Sequence, residues 1–421
     1  MVGPGRVRGV IGALGWVAVG SMVANIAAYL VYVGAGRWLL PGDYGQFARL
    51  LSAMLILGVP ALALQAVIAR EVVRGRAGNL RRVSITTTLG VLVTAAIAVP
   101  IVAAVADTGI PATVAALAAA PLLVIIAAGQ GVLQGRQEFR ALAWVLAVVG
   151  ALRSVPMLVA FAVGAGPAGG LAAGTLGAVV AAGIVGVAVR ATGTGPLHPG
   201  RVGRDGDADG DGARDRVSAL SVLRASQVQL VLIVAVSIDL LLSRTALDEV
   251  DAGIYGLGAV ATKAAFWLPQ AIGVVLYPRL ADPARSRTSL RQAVAVVAGI
   301  GVLVTVGAGV AAPLVPIVIG EEYRPLVGIL WLFAYTGAAM AVLQVVLLAA
   351  IAADRTRVAV GTWVAVVIEA VVTVTVVHSI VTLALTAAIT VTVAAVGTGV
   401  YCLRVMSPTP APPSEPETSD V

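Results

Sequence analysis

The sequence predicts an all-α polytopic membrane protein: about twelve transmembrane helices in two six-helix pseudo-repeat lobes. Three observations lead there. The 421 residues are 59% hydrophobic and only 12% charged, with mean hydropathy +0.99. A soluble domain carries about 25% charged residues, so this much apolar surface is matched to lipid. The basic residues alternate in density from one interhelical loop to the next, and a single long polar stretch divides the apolar segments six and six.

A helix needs about 20 apolar residues to cross the hydrocarbon core. The segments that qualify are 10–36, 47–69, 83–106, 113–134, 141–165, 169–189, 218–242, 254–278, 292–312, 325–352, 358–378 and 380–403. They are too long for strands and lack the polar alternation of a barrel lumen. In lipid, only a helix satisfies its own backbone within one segment. The first segment follows Arg6 and Arg8 as a signal peptide would. It runs on to Gly36 with no small-residue cleavage site before a soluble domain, so it reads as an uncleaved span. Cys402, the one cysteine, permits no intrachain disulfide.

Orientation follows from Lys and Arg in the loops. With the N-terminus in the cytoplasm, 22 of the 28 basic residues face inward; Arg37, Arg49, Arg244 and Arg324 face outward. Arg153 and Lys263 lie within spans. The inward residues are spread over many short loops, so the net charge of +7 reflects topology and not a nucleic-acid surface. The expected location is the cytoplasmic membrane, with both termini inside.

The expected organisation is an N-terminal lobe (1–189), a flexible cytoplasmic linker (190–217), a C-terminal lobe (218–404) and a disordered cytoplasmic tail (405–421). The Gly, Asp, Arg and Pro content of the linker cannot pack a core. Within it, Asp205, Asp207, Asp209 and Gly210 open like a calcium loop, but Arg216 stands where a bidentate Glu belongs. The tail PTPAPPSEPETSD (Pro408 to Asp420) is acidic and Pro-rich. The lobes resemble each other. GDYGQFARLLSAMLILGVP (Gly42 to Pro60) answers DAGIYGLGAVATKAAFWLP (Asp251 to Pro269), and GRQEFRALAW (Gly135 to Trp144) answers ADRTRVAVGTW (Ala353 to Trp363). An even number of spans per repeat makes these parallel repeats, and transporters built so hold substrate near mid-depth between the repeats.

A charge at the bilayer centre costs about 2.5–3.5 kcal/mol on insertion scales, so it faces protein or water. The candidates are Arg153 in span five, Lys263 (the only lysine) in span eight, Glu369 in span eleven, Asp239 in span seven and Arg49 in span two. One reading is a central cavity: Arg153, Lys263 and Arg49 bind an anionic substrate, and Asp239 and Glu369 couple to an ion or proton. The other is a set of buried ion pairs holding helices together, with Arg49 snorkelling to the headgroups. Gln65, Gln130, Gln134, Gln227, Gln270 and Gln344 either bridge helices or bond a sugar. Pro60, Pro100, Pro156 and Pro269 bend their helices, and Pro156 frees a carbonyl beside Arg153. His198 and His378 have no metal-ligand companions. There is no phosphate loop, hydrolase elbow or metal cluster, so the expectation is no enzyme activity and no cofactor.

The chain resembles the polysaccharide-transporter branch, the Wzx-type oligosaccharide flippases, of the multidrug/oligosaccharidyl-lipid/polysaccharide (MOP) exporter superfamily. The residues that carry the resemblance are RWLLPGDYGQFA (Arg37 to Ala48), GVPALALQAVIAR (Gly58 to Arg70) and VLQGRQEFRALAW (Val132 to Trp144). In the second half they are DAGIYGLGAVATKAAFWLPQAIGVVLYPRLAD (Asp251 to Asp282) and IVIGEEYRP (Ile317 to Pro325). The likeness covers nearly all of 10–404. It implies a MATE-like bundle with alternating access. It also implies transport of an undecaprenyl pyrophosphate-linked oligosaccharide for polysaccharide biosynthesis, with membrane lipids and other polysaccharide-assembly proteins as further partners. Arg153 with Lys263 would then neutralise the pyrophosphate, for which a guanidinium fork is suited. The two further spans usual in lipid II flippases of that superfamily are missing. The alternatives are a multidrug or cation antiporter on the same fold, a membrane glycan polymerase, for which the short outer loops leave little room, and a non-transporting scaffold.

Overall fold

The computed structural model describes residues 4–75, 79–192, 227, 229–268, 286–352 and 358–405. The expected calcium loop, His198, Gln270, Pro269, most of the linker and the tail from 406 onward lie outside the described residues. Arg190 and Ala191, expected in the linker, belong to a helix.

Every long element is helical. The first half runs α1 (Pro4–Trp38), α2 (Pro41–Leu57), α3 (Val59–Val73), α4 (Leu80–Val105), α5 (Ile110–Leu117), α6 (Ala119–Gly135), α7 (Phe139–Ala162) and α8 (Pro167–Ala191). The second runs α9 (Ile238–Ala246), α10 (Glu249–Trp267), α11 (Ser286–Ala311), α12 (Leu330–Ala352), α13 (Val358–Thr375) and α14 (Ile380–Val405). Among the described residues, ten helical stretches are long and apolar enough to cross a membrane, and Val360–Thr375 is a shorter apolar helix. The expected eighth span is described only as far as Leu268. The second span starts at Pro41, not residue 47, because Pro41 sits at the helix start, where a missing N–H costs nothing. It continues through a break at Gly58 to Val73 as one 33-residue stretch. Pro60, in the first turn of α3, has no N–H to carry the ladder across that break.

Within the first half, α7 packs along α1 and α8, and α3 packs on α6. Small residues set these distances: a Cβ on Gly20 would collide with Ala143, and one on Gly177 with the Leu152 carbonyl. That carbonyl lacks its α-helical partner because Pro156, four residues on, has no N–H. The expectation that Pro156 frees a carbonyl beside Arg153 fits this geometry. In the second half α12 packs on α10, α11 and α14. Outward faces are lined by Val, Leu and Ile, as lipid contact requires.

The halves meet chiefly along α2 and α10. A Cβ on Gly45 would lie 2.9 Å from the Gly253 Cα, one on Gly256 would lie 3.3 Å from the Ala48 Cβ, and one on Gly253 would strike the Pro41 carbonyl. Beside this seam one hydrophobic cluster draws Tyr44, Phe47 and Phe161 from the first half and Leu240, Tyr255 and Phe333 from the second. At the same end Arg37 Nη1 donates to the Val318 carbonyl at 2.9 Å, and Arg244 Nη2 pairs with Asp107 Oδ2 at 2.7 Å. This end of the bundle, carrying the α1–α2, α4–α5 and α9–α10 connections, is closed.

Replacing Gly253 by Leu is expected to cost about 1–3 kcal/mol through overpacking at Pro41. A lower thermal midpoint of the purified protein, absent for Gly361→Leu, where a Cβ meets nothing within 4 Å, would report it.

Candidate functional site

Among the described residues, the charges singled out in the sequence fall into three places. The first is in the second half, where Asp239 opens α9, Lys263 lies on α10 and Glu369 on α13. They are 6%, 4% and 3% exposed. Asp239 Oδ2 accepts from the Tyr255 hydroxyl at 2.5 Å, and its Oδ1 accepts the Leu240 N–H at 2.7 Å. Asp239 is within electrostatic reach of both Lys263 and Glu369, but no ion pair within 4.0 Å joins the three. The hydroxyls of Ser237 and Thr373, two residues before Asp239 and one turn after Glu369, are buried without a hydrogen-bond partner. Helix α9 packs on α13, which brings these groups to one region.

Lys263 spends its one direct bond across the seam. Its Nζ donates to Ser52 Oγ at 2.8 Å, and Ser52 Oγ donates on to the Ala48 carbonyl at 3.0 Å. Ser52 follows Gly45 by two turns on the face of α2 that meets α10, which is how a lysine of one half reaches a hydroxyl of the other.

The second place is α7. Arg153 is half-buried, and its Nη2 lies 3.9 Å from Met54 Sδ. Tyr32 of α1 is within electrostatic reach. No carboxylate pairs with Arg153 among the described residues. Met54 and Ser52 lie on different sides of α2, so Arg153 points into the first half while Lys263 sits on the seam. The structure does not bring these two cations together.

The third place is the closed end. Arg49 is only 1% exposed, and its Nε and Nη1 have no hydrogen-bond partner. It does not snorkel to headgroups; its arm folds along α2 so that Nη1 lies 3.0 Å from a Cβ built on Gly45. Asp107, Glu249 and Arg244 are its electrostatic neighbours. Tyr44 and Tyr323 stack edge-on nearby in the same end, centroids 6.0 Å apart, with both hydroxyls unpartnered.

Of the glutamines, Gln65 Nε2 donates to Gln134 Oε1 at 3.3 Å, bridging α3 to α6. The ring of His378, exposed, meets its neighbouring Val376 carbonyl. Sequence reasoning missed Tyr255, Ser52, Ser237 and Thr373. The available signal was spacing: Tyr255 stands eight residues before Lys263 and Thr373 one turn after Glu369, but neutral hydroxyls in a span are common.

No protein-family model matches the sequence, and no curated protein matches it. Solved structures do. An inward-facing multidrug resistance MATE family transporter of the MOP superfamily aligns at a TM-score of 0.70 and 14% identity, over 94% of this chain and 98% of that one. An outward-facing conformation of such a transporter aligns at 0.57 and 16% identity, over 94% and 95%. A MOP superfamily transporter from Pyrococcus furiosus, described as having a binding pocket of reversed polarity that suggests a different function, aligns at 0.56 and 14%, over 94% and 95%. The chain is thus a multi-pass α-helical membrane protein. Its fold is the MATE-like fold of MOP superfamily transporters.

Removing the Tyr255 hydroxyl leaves the buried Asp239 carboxyl short of a donor. Tyr255→Phe is expected to destabilise by about 1–3 kcal/mol. In a thermal-denaturation double-mutant cycle, Tyr255→Phe and Asp239→Asn should couple by at least about 0.5 kcal/mol; additive effects would deny the bond.

Proposed function

We propose that the chain is an alternating-access transporter of the cytoplasmic membrane that carries an anionic lipid-linked glycan, of the undecaprenyl pyrophosphate type, from the inner to the outer leaflet. The carrying observation is Arg153: a permanent cation midway along a span, half-buried, with no carboxylate on it among the described residues. A structural ion pair would have consumed its forked donors; here Nη2 meets only the Met54 thioether, a weak acceptor that phosphate oxygens would displace. The structurally similar proteins are transporters, not enzymes, and the higher similarity is to an inward-facing form. On this reading the closed end faces outward, in keeping with the 22-to-4 bias of basic residues, and the opposite end admits cargo. Arg153 neutralises the pyrophosphate, Lys263 and Arg49 contribute positive potential along the seam, and Asp239 with Glu369 couple the cycle to an ion or proton.

A second reading, a multidrug or cation antiporter, is favoured by a different observation. Asp239 and Glu369 are buried near one another, and MATE family transporters are among the similar structures. The two readings part on cargo charge. In proteoliposomes Arg153→Ala should insert normally and lose glycolipid flipping by roughly tenfold or more, the loss of one charge-assisted contact, with Arg153→Lys intermediate. Normal flipping by Arg153→Ala, or efflux of cationic dyes by the wild type with no glycolipid flipping, would decide for the antiporter.

Alternating access carries its own prediction. Cysteines at 48 and 256, in a Cys402→Ser background, should form a disulfide, since a Cβ on Gly256 faces the Ala48 Cβ across the seam at 3.3 Å, near the Cβ spacing of a disulfide. Oxidation should stop turnover and reduction restore it.

A further inference from the structure

The three ionisable groups of the second half pose a problem of charge. Two carboxyls, Asp239 and Glu369, are buried within electrostatic reach of each other, and the hydroxyls of Ser237 and Thr373, two residues before Asp239 and one turn after Glu369, are buried without a hydrogen-bond partner. Like charges so placed need a cation or a proton. Among the described residues, the cation within electrostatic reach of Asp239 is Lys263. Yet its one hydrogen bond crosses the seam to Ser52, 2.8 Å away. An ammonium has three donors, on a flexible four-carbon stem.

We infer that the Lys263 ammonium is the tethered counter-cation of the Asp239–Glu369 pair, standing where a diffusible alkali cation would otherwise bind, and that it alternates between that pair and Ser52. The inference rests on the coupling role proposed above for the two carboxyls and narrows it: with Lys263 in place, the pair couples to seam opening or a proton, not to a free alkali cation. When the seam is closed, Ser52 is in reach and takes one donor. When the halves part at this depth, Ser52 leaves with α2. A buried ammonium cannot stay unpaired, because stripping it of partners costs several kcal/mol. On its own half the carboxylate within electrostatic reach is Asp239, which in turn is within reach of Glu369. Seam opening and neutralisation of the carboxyls then become one event. The chain's own lysine excludes a free ion from the pair, because both would need the same oxygens.

The test reads cation binding and needs no cargo. Full-length protein in detergent is heated in NaCl, KCl or choline chloride at equal ionic strength. The wild type should show the same thermal midpoint in all three. Lys263→Ala should become Na+-dependent, gaining about 2 °C or more over choline at saturating salt. Asp239→Asn added to Lys263→Ala should abolish that gain. If Lys263→Ala does not fold, Lys263→Gln, which keeps length and polarity without charge, replaces it. A wild type stabilised by Na+ over choline overturns the inference, as does a folded Lys263 variant indifferent to Na+. A purely structural lysine would give the latter: lower stability with no cation rescue. The Arg153 flipping experiment can fail without touching this result, and this one can fail with flipping intact.

Discussion

The structure turns on how closely the backbones of α2 and α10 approach. Gly45 against Gly253 and Ala48 against Gly256 allow near contact between helices of opposite halves. In lipid no hydrophobic gain drives helices together, since the acyl chains are as apolar as leucine; close packing and polar bonds must do it. Small residues at the seam provide the first. They also set the second, because the Lys263 stem spans to Ser52 only if the helices are this near. A larger side chain at Gly253 would therefore do more than crowd Pro41; it would lengthen the reach demanded of Lys263 about three turns along.

The same closeness organises the charges at the closed end. Arg244 binds Asp107 of the other half and donates to the Leu247 carbonyl of its own. Asp107 adopts a left-handed conformation, φ 46°, at the end of α4, one of two non-glycine residues to do so among those described. The pair is partly solvated, so its energetic weight is small, about 0.2–1 kcal/mol. Its significance is positional: it fixes which turn of one half lies over which turn of the other. Arg49, beneath it and without a hydrogen-bond partner at Nε and Nη1, marks where the seam carries positive potential it has not spent.

Much of this was legible in the sequence. Span lengths and loop charges come directly from the cost of polar groups in hydrocarbon, so helix number and sequence order could be read without structure. Arg153, Lys263, Asp239, Glu369 and Arg49 stand out for the same reason. Their partners could not be read. Whether Arg49 snorkels or is buried depends on its rotamer against Gly45. Lys263 and Arg153 are both mid-span cations, and only the rotation of α2 separates them, since Ser52 and Met54, two residues apart, face different neighbours. The apolar run alone starts the second span at residue 47, but the helix begins at Pro41, where a proline at the first position is favourable.

The repeat gives the asymmetry its meaning. Aligning Gly42 with Asp251 sets Met54 (54 − 42 = 12) against Lys263 (263 − 251 = 12). In the first half this position is neutral and the fifth span, α7, brings a cation to it, Arg153 beside Met54. In the second half the position itself is the cation, and the fifth span, α13, brings an acid, Glu369, to the same half. The fifth helices of the two repeats thus carry opposite charges, Arg153 and Glu369, while the second helices carry a neutral residue in one half and a cation in the other. An arginine stays charged at any physiological pH, whereas a buried carboxyl pair can gain and lose a proton or cation. A fixed charge suits neutralising a cargo that is always anionic; a changeable one suits counting steps in a cycle. On the proposed reading the first half holds and the second half switches, and the Lys263–Ser52 bond is the point at which the switch is felt across the seam.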